Sequence, residues 1–317
     1  MKRFSAALCA LLLLFSLSVS PAAAEEAKLQ VIATVFPVWD WTREVIGDTD
    51  GIELSFLLDN GVDMHSYQPS VQDIVRISQA DAVICVGGES ERWLEDAFAG
   101  AVNPDQQALK LLDALGDSAR EEETVEGMEA EEEENEEGPA LDEHIWLSLK
   151  NAQELVPVIA SVLSRIDPAN ADSYSANAQA YCLKLAELDA RYAQAVEEAE
   201  HKTVLFGDRF PFRYLTEDYG LTYYAAFAGC SAESEASFNT IIFLAGKVDE
   251  LGLSAVLTVE GVSHRLAETV VSGTREKSQR ILTLDSLQST TAADAAAGKT
   301  YLTAMESNLE ILREALR

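Results

Sequence analysis

The chain has 317 residues, 48% of them hydrophobic, and its 54 acidic against 23 basic side chains give a formal net charge of −31. So acidic a surface repels nucleic-acid phosphates and anionic lipid headgroups, and it suits cations as partners. Beyond a leader-like start, roughly 290 residues remain, which fits two medium domains better than one.

The start, MKRFSAALCALLLLFSLSVSPAAAEEAKLQ, has the layout of a cleaved secretory signal peptide over residues 1–24. Lys2 and Arg3 precede an apolar run too short to span a membrane comfortably, and small residues lead into Glu25. An exported, periplasmic or extracytoplasmic protein is expected. Cys9 lies inside the apolar run and is not read as a lipid attachment site. The remaining cysteines, Cys85, Cys182 and Cys230, are odd in number and lack zinc-finger spacing, so they make no complete disulfide framework. A Cys182–Cys230 bridge stays open.

From Lys28 onward strand-like runs alternate with helical ones. LQVIATVFPVWDWTREVIG reads as strand then helix, IELSFLL as a strand, and SVQDIVRISQADAVICVGG as helix then strand. SERWLEDAFAG begins on the capping-type Ser90 and reads as a helix. The pattern predicts an α/β lobe with a mostly parallel sheet over residues 28–166. Residues 117–138 interrupt it with eleven glutamates between Glu121 and Glu137, and they are expected to form a disordered, self-repelling loop. A long helix follows over 168–200, with apolar Tyr181, Leu183, Leu185, Leu188, Tyr192 and Val196 at helical steps. It stands where a connector between lobes would stand. KTVLFGD, SFNTIIFLAGKVDELGLSAVLTVEG, HRLAETVVSGT, RILTLDSLQ and a helix from about Ala293 then repeat the α/β logic over 202–317.

Only four histidines occur, and two sit in turn-bounded segments: His65 in NGVDMHSYQPSVQDI and His144 in LDEHIWLSLKNA. A single histidine near a helix start is more often a capping or solvated residue than a ligand. Each of these, however, has an acidic neighbour and a nearby aromatic (Asp63 and Tyr67, Glu143 and Trp146). Neutral imidazole suits zinc, copper or iron, and a carboxylate commonly orients its ring. Spacing alone does not decide between these readings.

The segments together resemble the substrate-binding proteins of ABC-type zinc and manganese importers along almost the whole chain. GVDMHSYQPS is similar to that family's Gly-x-Asp-Pro-His-x-Tyr-x-Pro-Ser segment, with Met64 in place of Pro, and LDEHIWLSLKNA to its second histidine segment, with Glu143, Ser148 and Leu149 departing from it. RYLTEDYGL, GCSAESEAS, LTVEG and LTLDSL follow in the family's order. The resemblance implies two lobes joined by one long helix, with a metal in the cleft between them. It makes His65 and His144 ligands from the first lobe and Asp285 a ligand from the second. The third position departs from the family. Counting from the strand reaches Gly207, counting back from Tyr219 reaches Arg209, and Asp208 is the donor available between them. Glu260, at a strand end, is a second candidate.

Zinc is the expected ion, with manganese (or iron) the alternative, and a membrane permease of an ABC importer is the expected partner of a monomeric protein. The glutamate run carries no histidine, so it would gather cations only diffusely or serve as a solubilising insertion. A metallohydrolase would need an open coordination position and a general base, and neither H-E-x-x-H nor GxSxG nor a phosphate-binding loop occurs. An adhesin rests on family association alone.

Overall fold

The computed structural model describes residues 28–129, 140–231, 236–261 and 263–317. The signal-peptide reading of residues 1–24 lies outside them. Among the described residues, no helix is long and apolar enough to cross a membrane.

Two four-stranded sheets, each wholly parallel in its pairing, form the frame. β1 (Leu29–Ala33), β2 (Ile52–Phe56), β3 (Ala82–Cys85) and β4 (Gln107–Lys110) lie in the order β2-β1-β3-β4. β5 (Thr203–Phe210), β6 (Thr222–Ala228), β7 (Ala255–Val259) and β8 (Arg280–Leu284) lie in the order β6-β5-β7-β8. The central strands β3 and β7 are buried along their whole length, as near-continuous apolar runs covered by helices should be. In such sheets the loops beyond the carboxyl ends of the strands carry the ligand sites.

The long helix spans Ala171–Glu198. Tyr174, Ala178, Tyr181, Leu185, Leu188 and Tyr192 are buried at alternating four- and three-residue steps, the period of a helix packed along one stripe. Leu183, counted in that stripe from sequence, is 70% exposed on the other face. The apolar core runs continuously from the first sheet, through this helix and the C-terminal helix Tyr301–Ala315, to β5 and β7. The C-terminal helix is separate from the short helix Ala292–Ala296, because Thr300 caps a new start by accepting from the Thr303 amide.

Polar ties cross between the lobes at the same level. Trp146 Nε1 donates to the Ser286 carbonyl (2.8 Å), Tyr301 Oη donates to the Trp146 carbonyl (2.6 Å), and the Tyr301 amide donates to Asp40 Oδ2 (2.9 Å). The stretch Asp59–Asn60 pairs with Thr291–Ala292, and Arg209 reaches Asp63.

The start of the glutamate-rich stretch is not the free loop that its charge suggests. Glu121 bridges Leu141, the Glu122 amide donates to the Ala140 carbonyl (2.7 Å), and the Glu129 amide donates to the Ala226 carbonyl (2.9 Å). The Glu129 carboxylate accepts from the Ser237 amide and the Thr240 hydroxyl, both at 2.6 Å, at the start of the helix Phe238–Leu251. A carboxylate at a helix N-terminus gains from the exposed amides and the helix dipole, so these acids are held by partners their own segment lacks. Residues 130–138 of that reading lie outside the described residues.

Tyr301→Phe removes the hydroxyl that serves the buried Trp146 carbonyl and should lower stability by about 1–2 kcal/mol in a urea unfolding titration. An unchanged midpoint would mean that this carbonyl is satisfied without it.

Candidate metal centre

His65 stands in a single 3-10 turn, Met64–Ser66, beyond β2. Asp63 caps that turn, its carboxylate accepting from the His65 amide at 3.1 Å. Asp63 is in turn paired with Arg209 of β5, which holds its carboxyl below the usual range against the opposing effect of burial. His144 precedes a second 3-10 turn, Ile145–Leu147, and is fully buried. Asp142 accepts from both its amide (2.8 Å) and its ring Nδ1 (2.9 Å).

The two imidazoles meet through Nε2, 3.2 Å apart. Behind them His65 Nδ1 lies 2.7 Å from Ser90 Oγ, and His144 Nδ1 is held by Asp142. Ser90 therefore serves the histidine and not the cap expected of it; the following helix, Leu94–Ala99, starts later, with Trp93 at its N-cap. Glu143 accepts the Ser90 amide through Oε1 (2.8 Å), and its Oε2 lies 3.5 Å from His65 Nδ1. Two nitrogens each about 2.0–2.1 Å from a tetrahedral zinc ion stand roughly 3.3 Å apart. The observed separation fits that span, and each ring is oriented from behind by an oxygen, the arrangement that fixes ligand tautomers in metal sites.

Protonation is divided unequally. Burial and the facing His144 push His65 down to about 3. Burial opposes the charged form of His144 too, but the Asp142 carboxylate outweighs it and raises this residue above the ordinary imidazole range. With both rings neutral, the metal-free pair is satisfied if Ser90 donates to His65 Nδ1, His65 Nε2–H donates to His144 Nε2, and His144 Nδ1–H donates to Asp142. Because a hydroxyl both donates and accepts, rotation of Ser90 lets His65 carry its proton on Nδ1 and frees Nε2 for an ion.

Among the described residues, one group of three potential ligands has all its donor atoms within 4.8 Å of one another: His65, His144 and Cys230. The sequence reading missed Cys230. It lies two residues past β6, half-buried, its amide donating to Glu122 Oε1 (3.3 Å). Burial, reinforced by the charges of Glu122, Asp142 and Glu143, pushes its thiol up. The available signal was a cysteine in a loop at the carboxyl end of a strand, in a segment already matched to the family. Cys85, Cys182 and Cys230 are all free, so the Cys182–Cys230 bridge is absent.

The three carboxylates expected from sequence do not join this group. Asp208 lies where β5 shifts register against β6, between Phe206 and Arg209, and its oxygens accept from the Arg209 and Val259 amides at 2.9 and 3.2 Å. Glu260 accepts from the Ser286 amide (2.6 Å) and from the Ser286 and Ser289 hydroxyls (2.8 and 3.1 Å), tying two strand ends together. Asp285, just past β8, is paired with Lys299 at 2.6 Å and accepts the Leu287 amide at 2.9 Å.

Two parallel α/β lobes, with a buried imidazole pair in loops beyond the strands of the first, make a two-lobed fold with a candidate metal centre. The model of the family ZnuA, described as zinc-uptake complex component A, periplasmic, matches residues 31–315, and the chain belongs to that family. It is 31% identical to the zinc-binding lipoprotein AdcA of Streptococcus pneumoniae over 99% of this chain and 61% of the relative. It is 29% identical to the high-affinity zinc uptake system protein ZnuA of Bacillus subtilis over 91% and 88% of the two chains. The chain thus spans about three fifths of the AdcA proteins it matches, 61% and 56% of their length, and most of the Bacillus protein. Among solved structures it superposes on the Zn(II)-bound ZnuA-like domain of S. pneumoniae AdcA with a TM-score of 0.71, at 27% identity, over 92% of this chain and 99% of that one.

In the metal-free protein, imidazole NMR over a pH series should show His65 neutral throughout the range above pH 5, with His144 taking the proton. Asp142→Asn should bring the His144 titration down. A His65 that titrates like a free imidazole would contradict the buried, facing geometry.

Proposed function

We propose that this protein captures zinc outside the cytoplasmic membrane and hands it to the membrane permease of an ABC importer. The observation that carries the reading is the pair of Nε2 atoms, 3.2 Å apart and each braced from behind. Once Ser90 turns and His65 carries its proton on Nδ1, both Nε2 lone pairs face one buried point, which calls for a cation between them. The names of the S. pneumoniae and B. subtilis relatives support zinc as that cation and uptake as the purpose. Nitrogen-rich donors favour zinc over manganese, whose sites are richer in oxygen. The leader-like start and the family's periplasmic description support an exported chain working in the periplasmic or extracytoplasmic space.

In this reading His65 and His144 are ligands. Asp285 supplies a further donor once the ion replaces Lys299 as its partner; its strand end is tied to the histidine lobe through the Trp146–Ser286 hydrogen bond. Asp208 and Glu260 shape the cleft floor through the backbone groups and hydroxyls they hold. The role is capture and release without turnover. The continuous core and the ties between the lobes keep the cleft preformed, so loading needs only local adjustments.

Competitive titration of the metal-free protein with zinc and manganese tests this. One tightly held zinc is expected, with His144→Ala weaker by on the order of 100-fold or more, since loss of even an orienting partner costs roughly 10–100-fold. Affinity should fall as pH drops, because an ion and a proton compete for His144 Nε2. The fall should begin above the ordinary imidazole value, since Asp142 makes this nitrogen more basic. Wild-type protein without stoichiometric zinc would sink the proposal. Small-angle scattering should show little compaction on loading; a large change would contradict the preformed cleft.

A further inference from the structure

We infer that Cys230 is a metal ligand, its thiolate completing with His65 and His144 a soft donor set that selects thiophilic ions such as zinc over manganese. This rests on the capture reading above and adds the donor that decides selectivity. Three independent features of the structure lead to it.

The first is closure of the position that family counting assigns to the third ligand. At Gly207 a Cβ would stand 2.6 Å from Ala267 Cα and 2.9 Å from its Cβ, inside contact distance of the helix Arg265–Gly273. No side chain fits there without moving that helix. The alternative position holds Arg209, a cation already committed to Asp63. Between them Asp208 is turned onto backbone amides. No donor reaches the histidine pair from β5, so a third one has to come from another strand end.

The second is the way β6 delivers its loop. At Gly229 a Cβ would meet the Phe210 carbonyl at 2.9 Å and His144 Cε1 at 3.0 Å. The bare glycine lets the chain lie directly on the His144 ring, which brings the next side chain to the imidazole pair. The Glu122 carboxylate then fixes the Cys230 amide at 3.3 Å.

The third is the contrast with the other thiols. A free cysteine is usually a small buried apolar residue. Cys85 is one: fully buried in β3, its Sγ against the Leu109 carbonyl at 3.4 Å. Cys182 likewise faces a helix carbonyl, that of Gln153, at 3.6 Å. Of the three, only Cys230 has its sulfur within 4.8 Å of two imidazole nitrogens. Two histidines and one thiolate form a donor set suited to zinc, while manganese prefers oxygen. On binding, the metal–sulfur bond forms as the thiol proton passes to solvent.

X-ray absorption at the zinc edge of the full chain, loaded with one equivalent of Zn2+, reads the donors directly. One sulfur at about 2.3 Å beside nitrogens at about 2.0–2.1 Å is expected. Cys230→Ser should lose the sulfur shell, bind zinc roughly 100-fold more weakly and retain its manganese affinity, so that its zinc-over-manganese ratio collapses. A wild-type spectrum with only nitrogen and oxygen around bound zinc would overturn the assignment while leaving zinc capture standing. Wild-type protein that takes up no zinc would overturn the capture reading, and with it the role of Cys230. Should Cys230→Ser fail to fold, the wild-type sulfur shell and protection of the Cys230 thiol from alkylation by Zn2+ decide the matter.

Discussion

The structure is organised around one electrostatic constraint: two imidazole nitrogens held 3.2 Å apart in a buried place. Neither ring tolerates this arrangement unaided. Burial opposes charge on both, and the Asp142 carboxylate makes His144 the ring that takes an extra proton first. Each feature around the pair bears on that problem. Asp142 and Ser90 fix the outer nitrogens, Asp63 fixes the turn carrying His65, and Arg209 fixes Asp63. In the capture reading, a cation takes the two Nε2 lone pairs once His65 carries its proton on Nδ1. An ion that binds only the folded chain would, at a thousand times its dissociation constant, add about 4 kcal/mol of stability.

Such a pair needs a rigid surround, and the surround is built from both halves of the chain. The imidazoles come from the segments after β2 and β4, whereas Arg209 and the Gly229–Cys230 turn come from β5 and the end of β6. Misplacing the lobes by an ångström would separate these groups. The Trp146–Ser286 and Tyr301–Trp146 hydrogen bonds sit within two residues of His144 and prevent that, and the apolar core behind them has no break at which a hinge could act. Rigidity here is the condition under which a few donors can tell one ion from another.

The architecture was legible where burial is two-sided. The apolar runs of β1, β3 and β7 and the three-and-four spacing of the connecting helix are direct consequences of being covered. β4 (QALK) and β6 (TYYAAFA) went unread, and both are edge strands, short or alanine-rich, where pairing on one side relaxes the demand for branched apolar residues. His65 and His144 were legible as a pair only through the resemblance, because 79 residues and a sheet topology separate them. Two of the expected carboxylates are occupied by other partners for a physical reason. Asp208 and Glu260 stand at strand ends, where ligands occur, but strand ends also expose amides, and these claim the oxygens first. Cys230 was hidden because the strand that delivers it, β6, went unread, so its loop was not recognised as a strand end.

A net charge of −31 invites the conclusion that acidity is what selects the ion, and the structure argues otherwise. The field of exposed carboxylates is screened over about 8–10 Å in physiological salt and attracts magnesium and calcium as readily as zinc. Around the histidine pair the acids are largely committed in the metal-free protein: Asp142 to His144, Asp63 to Arg209, Asp285 to Lys299. The groups left facing one another are imidazole nitrogens, with a thiol beside them. Acidity can raise the local supply of divalent ions, but it has no means of ranking them. In the proposed site that ranking falls to donors whose softness and spacing suit a small tetrahedral ion and leave larger, oxygen-seeking cations underbound.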